Sequence, residues 1–337
     1  MRKWLSLLGA VVVLAAAALI YTHFHKSTSA SPGTTTTTAA PVPIAPLTGL
    51  PDPGGAALTR SALTVKIENT PEALPQWGID QADVVYEEIV NGGITRLAAI
   101  FNSQAPAKIG PVRSVRPTDT QVVYPLKGIF AYSGGAPYAI ASIETVPGLT
   151  LVDEDKADQT AAMYRDPNLY APHNLFGIGT SLFAIGGSPT PPPALFSYRS
   201  TGQKVKGTTV ASFVVDFPSI YPATWTWDAA TGSWDRTLFG KADVTGNGVR
   251  ESPKNVVVMF VNYVNGIGTL NSYANLQGSG SADFFTDGKE VAGSWSRGSS
   301  MSDVIQYQTA SGKTMNLTPG QTWVELLDLG AAIKVTP

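Results

Sequence analysis

Two β-rich apolar runs, residues 82–90 and 94–101, flank the dipeptide Asn91-Gly92, and no other feature constrains the fold of this chain as tightly. An Asn-Gly pair between such runs is the strongest short-range hairpin signal, because both central residues of a type I′ turn need positive φ. With a two-residue turn, paired positions sum to 183, which sets Glu87 directly opposite Arg96 as a structural ion pair. Both faces of the hairpin are mainly apolar, so it reads as the centre of a sheet. There an unpaired Glu87 would cost several kcal/mol.

The hairpin lies in a wider segment, residues 64–119, that holds 12 of the 48 charged residues in 56 positions. Charge at this density among core-forming residues has to be paired or used. Val65 and Ile67 alternate with Lys66 and Glu68 in the period of a half-buried strand, which Asn69-Thr70-Pro71 ends. Arg113 and Arg116 stand three apart between Pro111 and Pro117, which blocks a continuous helix through both. The pattern predicts a strand to about Ser114 and a short helix from Pro117 towards Tyr124. Arginine's planar fork suits carboxylate or phosphate, so Arg113, Arg116 and Asp119 form a candidate site for an anionic or polar ligand. The competing reading has the two guanidiniums neutralise Glu87, Glu88 or Asp119 inside the fold. Gly134 and Gly135, between a predicted strand and a helix beginning near Pro137, could offer backbone N–H groups to the same anion. A plain strand-to-helix turn that needs glycine is the alternative.

Composition removes several kinds of chemistry. The chain has no cysteine, hence no disulfide, no thiolate catalysis and no Cys-ligated zinc. A net charge of −2 leaves no electrostatic footprint for nucleic acid. There is no G-x-S-x-G elbow, and Gly278-Ser279-Gly280-Ser281 reads as a flexible turn. The run Asp243 to Gly248 copies the first half of a calcium loop, but Lys254 stands where a bidentate Glu is required, so it too reads as a turn, and no metal or cofactor is expected. The acidic cluster from Asp153 to Asp158 reads as a solvated loop. His173 is the only histidine outside the membrane-proximal segment, which makes it the single candidate for His-based proton transfer. Glu88, Asp119 and His173 are therefore weak catalytic candidates; Glu87 and Glu88, adjacent on a strand, point to opposite faces and cannot share a substrate.

The order along the chain completes the picture. Arg2 and Lys3 precede an uncharged run from Trp4 to Tyr21, so residues 1–26 read as a signal anchor, or a cleaved signal peptide, that puts the bulk of the chain outside the cytoplasm. Residues 27–49, rich in Thr, Ala and Pro, form a disordered tether. Residues 50–195 are expected to make an α/β domain built on the central hairpin. A Pro-rich break at 186–196 precedes a mainly antiparallel β domain at 205–335, with five of the seven tryptophans, a hairpin from Trp227-Asp228 to Trp234-Asp235 closed by Thr231-Gly232, and a tight turn at Asp287-Gly288. The expected class is mixed α+β.

In the motifs VKIENTPEALPQWGIDQADVVYEEIVNGGITRLAAIF, KIGPVRSVRPTD and YSGG, and later W-x-W-D, KNVVVMFV, GSGSADFFTDGKEVAGSWSR and LTPGQTWVELL, the chain resembles the YerB-like family of bacterial envelope proteins, a family of unknown function. The likeness covers roughly residues 45–329. Many members look like lipoproteins; this chain lacks cysteine, which leaves anchoring to the apolar helix. Members tend to carry a histidine after the W-D hairpin, where this chain has Gly240-Lys241-Ala242-Asp243. The resemblance implies an extracytoplasmic, two-part protein and supplies no catalytic residues. The resulting expectation is a membrane-tethered envelope protein that binds an anionic or polar ligand, such as a cell-wall fragment. An envelope hydrolase acting on glycan or peptide, and a scaffold presenting the β domain to a partner protein, are the alternatives.

Overall fold

The computed structural model describes residues 42–154, 161–186, 189–217 and 222–337. The apolar run at 4–21, most of the tether and the acidic stretch 155–158 lie outside the described residues. Among the described residues, no helix is long and apolar enough to cross a membrane.

The core is a mixed twelve-stranded sheet. Its N-terminal part is built from β1 (Leu63–Asn69), β2 (Val84–Ile89), β3 (Thr95–Phe101), β4 (Gly128–Tyr132) and β5 (Leu149–Asp153). Along the sheet they stand in the order β2-β3-β1-β4-β5, with β1, β4 and β5 mutually parallel. The strand Thr322–Asp328 then pairs in parallel with β2 on one side and with Asn255–Val264 on the other, so the C-terminal strands Gly278–Thr286, Lys289–Arg297 and Gln306–Thr309 continue the same sheet. A second sheet of five strands, centred on Ala223–Asp228 and Ser233–Leu238, packs against it. Phe213 stacks on Phe285 with ring centroids 3.5 Å apart, and Trp225 meets Trp323 edge to face at 5.4 Å. Stacked and edge-to-face rings contribute about 0.5–1.5 kcal/mol per pair beyond the area they bury.

The expected α/β domain followed by a mainly antiparallel β domain does not describe this architecture. Helix is confined, among the described residues, to α1 (Pro117–Val123), α2 (Pro137–Ile143) and α3 (Gly179–Ala184) besides short 3-10 turns. One sheet passes through both halves of the chain. The reason is visible in WVELL: Trp323 to Leu327 are all buried, so this strand is covered on both faces and hydrogen-bonded along both edges, and β2 supplies one of those edges.

The hairpin register also differs from the expected one. Gly93 as well as Gly92 takes positive φ (75° and 82°), so the connection spans Asn91, Gly92 and Gly93, and Val90 N–H donates to the Ile94 carbonyl at 2.8 Å. Paired positions therefore sum to 184, with Glu88 opposite Arg96 and Glu87 opposite Leu97. A one-residue slip exchanges the faces of every side chain on the strand. Glu87 and Arg96 are consequently on opposite faces of the sheet and form no ion pair. The other two sequence-read turns form as tight hairpins, Trp227 pairing with Trp234 and Thr286 with Lys289.

Candidate functional site

One face of β1, β3 and β2 gathers the charged residues of the N-terminal segment. Glu68, Arg96 and Glu88 lie side by side across the three strands, and Lys66 sits two residues before Glu68 on the same face. The alternation of Val65 and Ile67 with Lys66 and Glu68 suggested solvent on that second face; instead Lys66 is 0% and Glu68 1% exposed, with segment 111–113 paired along the edge of β1 and α1 bringing Asp119 to Lys66. Buried charges must then be met by partners. Lys66 Nζ donates to Glu88 Oε1 and to Asp119 Oδ1, the latter at 2.7 Å. The other Asp119 oxygen accepts the Arg116 backbone N–H at 2.6 Å, so Asp119 caps α1 from its third position. Burial pushes the Asp119 carboxyl up to about 6, with Lys66 opposing and Glu88 adding to the rise.

At the rim of this buried centre three guanidiniums converge. Arg113 reaches Glu68 at 3.1 Å, Arg116 is held by the Asn91 side-chain oxygen at 2.8 Å and the Val115 carbonyl at 2.9 Å, and Arg96 donates to the Ser114 carbonyl at 3.2 Å. Burial, then Arg116 and Arg113, lower Arg96 to about 9, against the pull of Glu68 and Glu88. Nε of Arg96 and Nε of Arg113 are buried without a hydrogen-bond partner. Lys66, Arg96, Arg113 and Arg116 face three carboxylates, Glu68, Glu88 and Asp119, and two of those three are already bound to Lys66. The four cations thus outnumber the three carboxylates at this centre.

The glycines contribute differently from what their position suggests. Gly134 N–H is taken by Asp153 Oδ1 at 2.8 Å, so it has nothing left for an anion. Gly135 bridges to Val115, and a Cβ there would lie 2.6 Å from the Val115 side chain; glycine serves the close approach of the 110–117 segment to the helix turn.

His173 is not brought to Glu88 or Asp119. Its Nδ1 lies 2.8 Å from Glu68 Oε2, and the ring lines a cleft of about 420 Å³ with Trp77, Tyr170, Phe176 and Glu72. Lys108 is sandwiched there between Trp77 and Phe176, 4.4 and 4.0 Å from their centroids, and paired to Asp166 at 3.0 Å. Among the described residues, no group of three or more His, Asp or Glu is placed to hold a metal ion.

On the opposite face of the central sheet Glu87 receives Arg236 at 2.7 Å, Thr95 at 2.7 Å, Asn69 at 3.0 Å and the Trp323 indole at 3.2 Å. Arg236 also binds Asp243, the first residue of the calcium-like run, and is 0% exposed. Sequence reading put Glu87 in a buried ion pair but named Arg96 as its partner and missed Arg236 and Asp243. The one signal of this centre was a charged residue in a strand apolar on both faces.

The order of strands and the two-part layout have counterparts among known proteins. Residues 47–186 match the N-terminal domain, and residues 213–324 the C-terminal domain, of a protein of unknown function, DUF3048. The chain belongs to the DUF3048 family. A curated relative, "Putative lipoprotein YerB" of Bacillus subtilis (strain 168), is 40% identical over 101 residues, a match that spans 30% of this chain and 30% of that protein. The crystal structure of YerB protein from Bacillus subtilis superposes with a TM-score of 0.75 over 88% of this chain and 100% of that one, at 23% identity. This chain and that structure therefore share a fold despite low sequence identity, with WVELL joining the two halves here through β2.

Proposed function

We propose that this protein is a membrane-tethered, extracytoplasmic member of its family that binds a carboxylate- or phosphate-bearing ligand at Arg96, Arg113 and Arg116. The observation that supports the reading is Arg96, a buried guanidinium crowded by two others and left with an unpartnered Nε. Folding would not retain such repulsion without a gain elsewhere, and an anion seated among the three would relieve it. Asp119, 1% exposed and engaged at both oxygens, holds Lys66 and α1 in place and does not meet the ligand. The envelope location draws support from the lipoprotein named among its relatives and from the uncharged run behind Arg2 and Lys3. With no cysteine to carry a lipid, that run is the segment available as an anchor.

The test uses the full chain in detergent, titrated separately with inorganic phosphate and with citrate while its thermal midpoint is followed. One of the two anions should stabilise the wild type in a saturable way and leave Arg96→Met unaffected. Equal stabilisation of wild type and variant would remove the site.

A second reading rests on the pairing of His173 with Glu68. A carboxylate on Nδ1 fixes the tautomer and leaves Nε2 to exchange a proton with anything bound in the Trp77–Tyr170 cleft. In this reading the hydrolytic set is Glu68 and His173, since Glu88 and Asp119 are committed to Lys66. The scaffold reading draws no such support: Trp225, Trp234 and Trp323 are interior to the sandwich.

A further inference from the structure

A second cleft, of about 520 Å³, opens between α1, α2 and the segment that follows the strand Asn255–Val264, with none of the three arginines in its lining. None of the eleven described residues that line it is charged, and nine of them carry a hydroxyl or an amide. Its walls are fixed. Gln121 on α1 donates to the Ala274 carbonyl at 3.0 Å and accepts the Leu276 N–H at 2.9 Å, while Thr118 accepts the Ala274 N–H at 3.0 Å. Thr120 and Ser142 join α1 to α2 through their hydroxyls at 2.8 Å.

With the walls so tied, the polar groups left over are those that face the space. The Asn271 amide and the Tyr273 hydroxyl take part in no hydrogen bond among the described residues. Asn275 accepts the Gln277 N–H at its oxygen, at 3.1 Å, and keeps its NH2 free; Gln277 donates its NH2 to the Ser299 carbonyl at 3.3 Å and keeps its oxygen free. A free donor at Asn275 and a free acceptor at Gln277 thus stand two residues apart, and side-chain amides can serve a hydroxyl in either sense. Tyr138 and Tyr273 add two aromatic faces.

We propose that this cleft binds a neutral oligosaccharide. Its volume falls within the range of about 300–1,000 Å³ typical of ligand sites. An ionic ligand would find no counter-charge here. The apolar surface of the cleft comes from Pro117, Met301 and the rings of Tyr138 and Tyr273, faces on which a sugar ring can lie. A polyol matches free amides, a free phenol and ring faces. The site is independent of the anion site proposed above.

The experiment is saturation-transfer NMR on the full chain in a detergent without a sugar headgroup. The probes are chitotriose, maltotriose, trigalacturonate and capped trialanine. At least one neutral trisaccharide should receive saturation, and trigalacturonate, with a carboxylate on each ring, should not. Asn271→Ala and Asn275→Ala, at half-buried or exposed positions, should each weaken binding about fivefold to tenfold with an unchanged thermal midpoint. Arg96→Met should leave it untouched, so that failure here and failure of the anion site are told apart. Transfer to neither neutral sugar, equal transfer to trigalacturonate, transfer to trialanine alone, or full binding by both Asn variants would each overturn the proposal.

Discussion

Arg236 and Arg96 are both arginines buried against the same central sheet, yet their surroundings are of opposite sign. Arg236 meets Glu87 and Asp243 directly, with Glu325 close enough to add to their pull, so that despite burial its guanidinium is held more strongly protonated than in water. Burial and the neighbouring Glu87 push the Glu325 carboxyl well above its usual range. Arg236 lies beneath Trp225 and Trp323, 5.7 and 4.6 Å from their ring centroids. Arg96 is pushed the other way, by burial and by two other arginines. A matched cluster clamps two sheets together; the mismatched one at the rim is where the proposed anion would sit. The comparison is what separates structure from function here, since burial alone does not.

The largest effect should come from breaking the matched side. Arg236→Met leaves Glu87 and Asp243 charged and buried without their partner, and removing one member of a buried ion cluster costs about 3–5 kcal/mol. Denaturant unfolding should show a loss of that size, with no change in anion affinity for whatever fraction remains folded. A loss below about 1 kcal/mol would mean that the cluster is no clamp.

Next comes the pH dependence of the buried centre that backs the arginines. The Asp119 carboxyl stands at about 6 in the fold against 3.8 as its ordinary value. The native state therefore holds a proton that the unfolded chain has released, so this contribution is complete below about pH 4 and is lost as pH rises through 6. A shift of that size corresponds to about 3 kcal/mol. Asp283, raised to about 6 by burial and then by Glu290, acts in the same window and the same sense. Unfolding free energy should thus fall between pH 4 and pH 6.5. Asp119→Asn, which keeps an oxygen for Lys66, should remove one share of that slope and Asp283→Asn another, while Glu251 and Glu325, also raised by burial, supply the rest. A slope that Asp119→Asn leaves intact would place the titration elsewhere.

On the mismatched side the expected effect is on binding. Arg96→Met should cost the anion about tenfold to a hundredfold in affinity, the worth of a hydrogen bond to a charged group. It should change stability by less than Arg236→Met, because it relieves repulsion with Arg113 and Arg116. If the two variants unfold equally easily, the distinction between the clusters collapses.

How much of this could be read from the sequence follows from which interactions are local. Pro117, the start of α1 and the hairpin turns at Thr231-Gly232 and Asp287-Gly288 were legible, since turn chemistry depends on two or three adjacent residues. The crowding of charge in 64–119 correctly marked a place where charge is buried. Its pairing was not legible. Gly93 lengthened one turn by a residue, and that alone moved Arg96 from Glu87 to Glu88. The true partner of Glu87 lies 149 positions away, and Lys66, whose partners are Glu88 and Asp119, was read as a solvent-facing residue of a half-buried strand. The insertion of Thr322–Asp328 beside β2, which overturned the α/β reading, is likewise a contact between the two ends of the chain.

The smallest expected effect is also the sharpest, because it separates positioning from charge. Asn91 touches Arg116 through its side-chain oxygen at 2.8 Å and lies in the lengthened hairpin turn, where Gly92 and Gly93, and not Asn91, take the positive φ. Asn91→Ala removes one neutral acceptor and frees the Arg116 fork without altering net charge. Loss of one such hydrogen bond should weaken anion binding by about twofold to tenfold with little change in the thermal midpoint. Asn91→Asp keeps an acceptor at the same place but adds a negative charge, so Arg116 would acquire a carboxylate partner as Arg236 already has. An internal carboxylate competes with the incoming anion, and the aspartate should bind phosphate or citrate more weakly than the alanine, with a midpoint equal to or above that of the wild type. The order wild type, Asn91→Ala, Asn91→Asp in affinity, set against the reverse order of the last two in stability, is expected only where a missing negative charge is what the site recognises. If Asn91→Asp binds anions as well as the wild type does, the three guanidiniums are not the receptor, and Arg96 joins Arg236 as a structural residue.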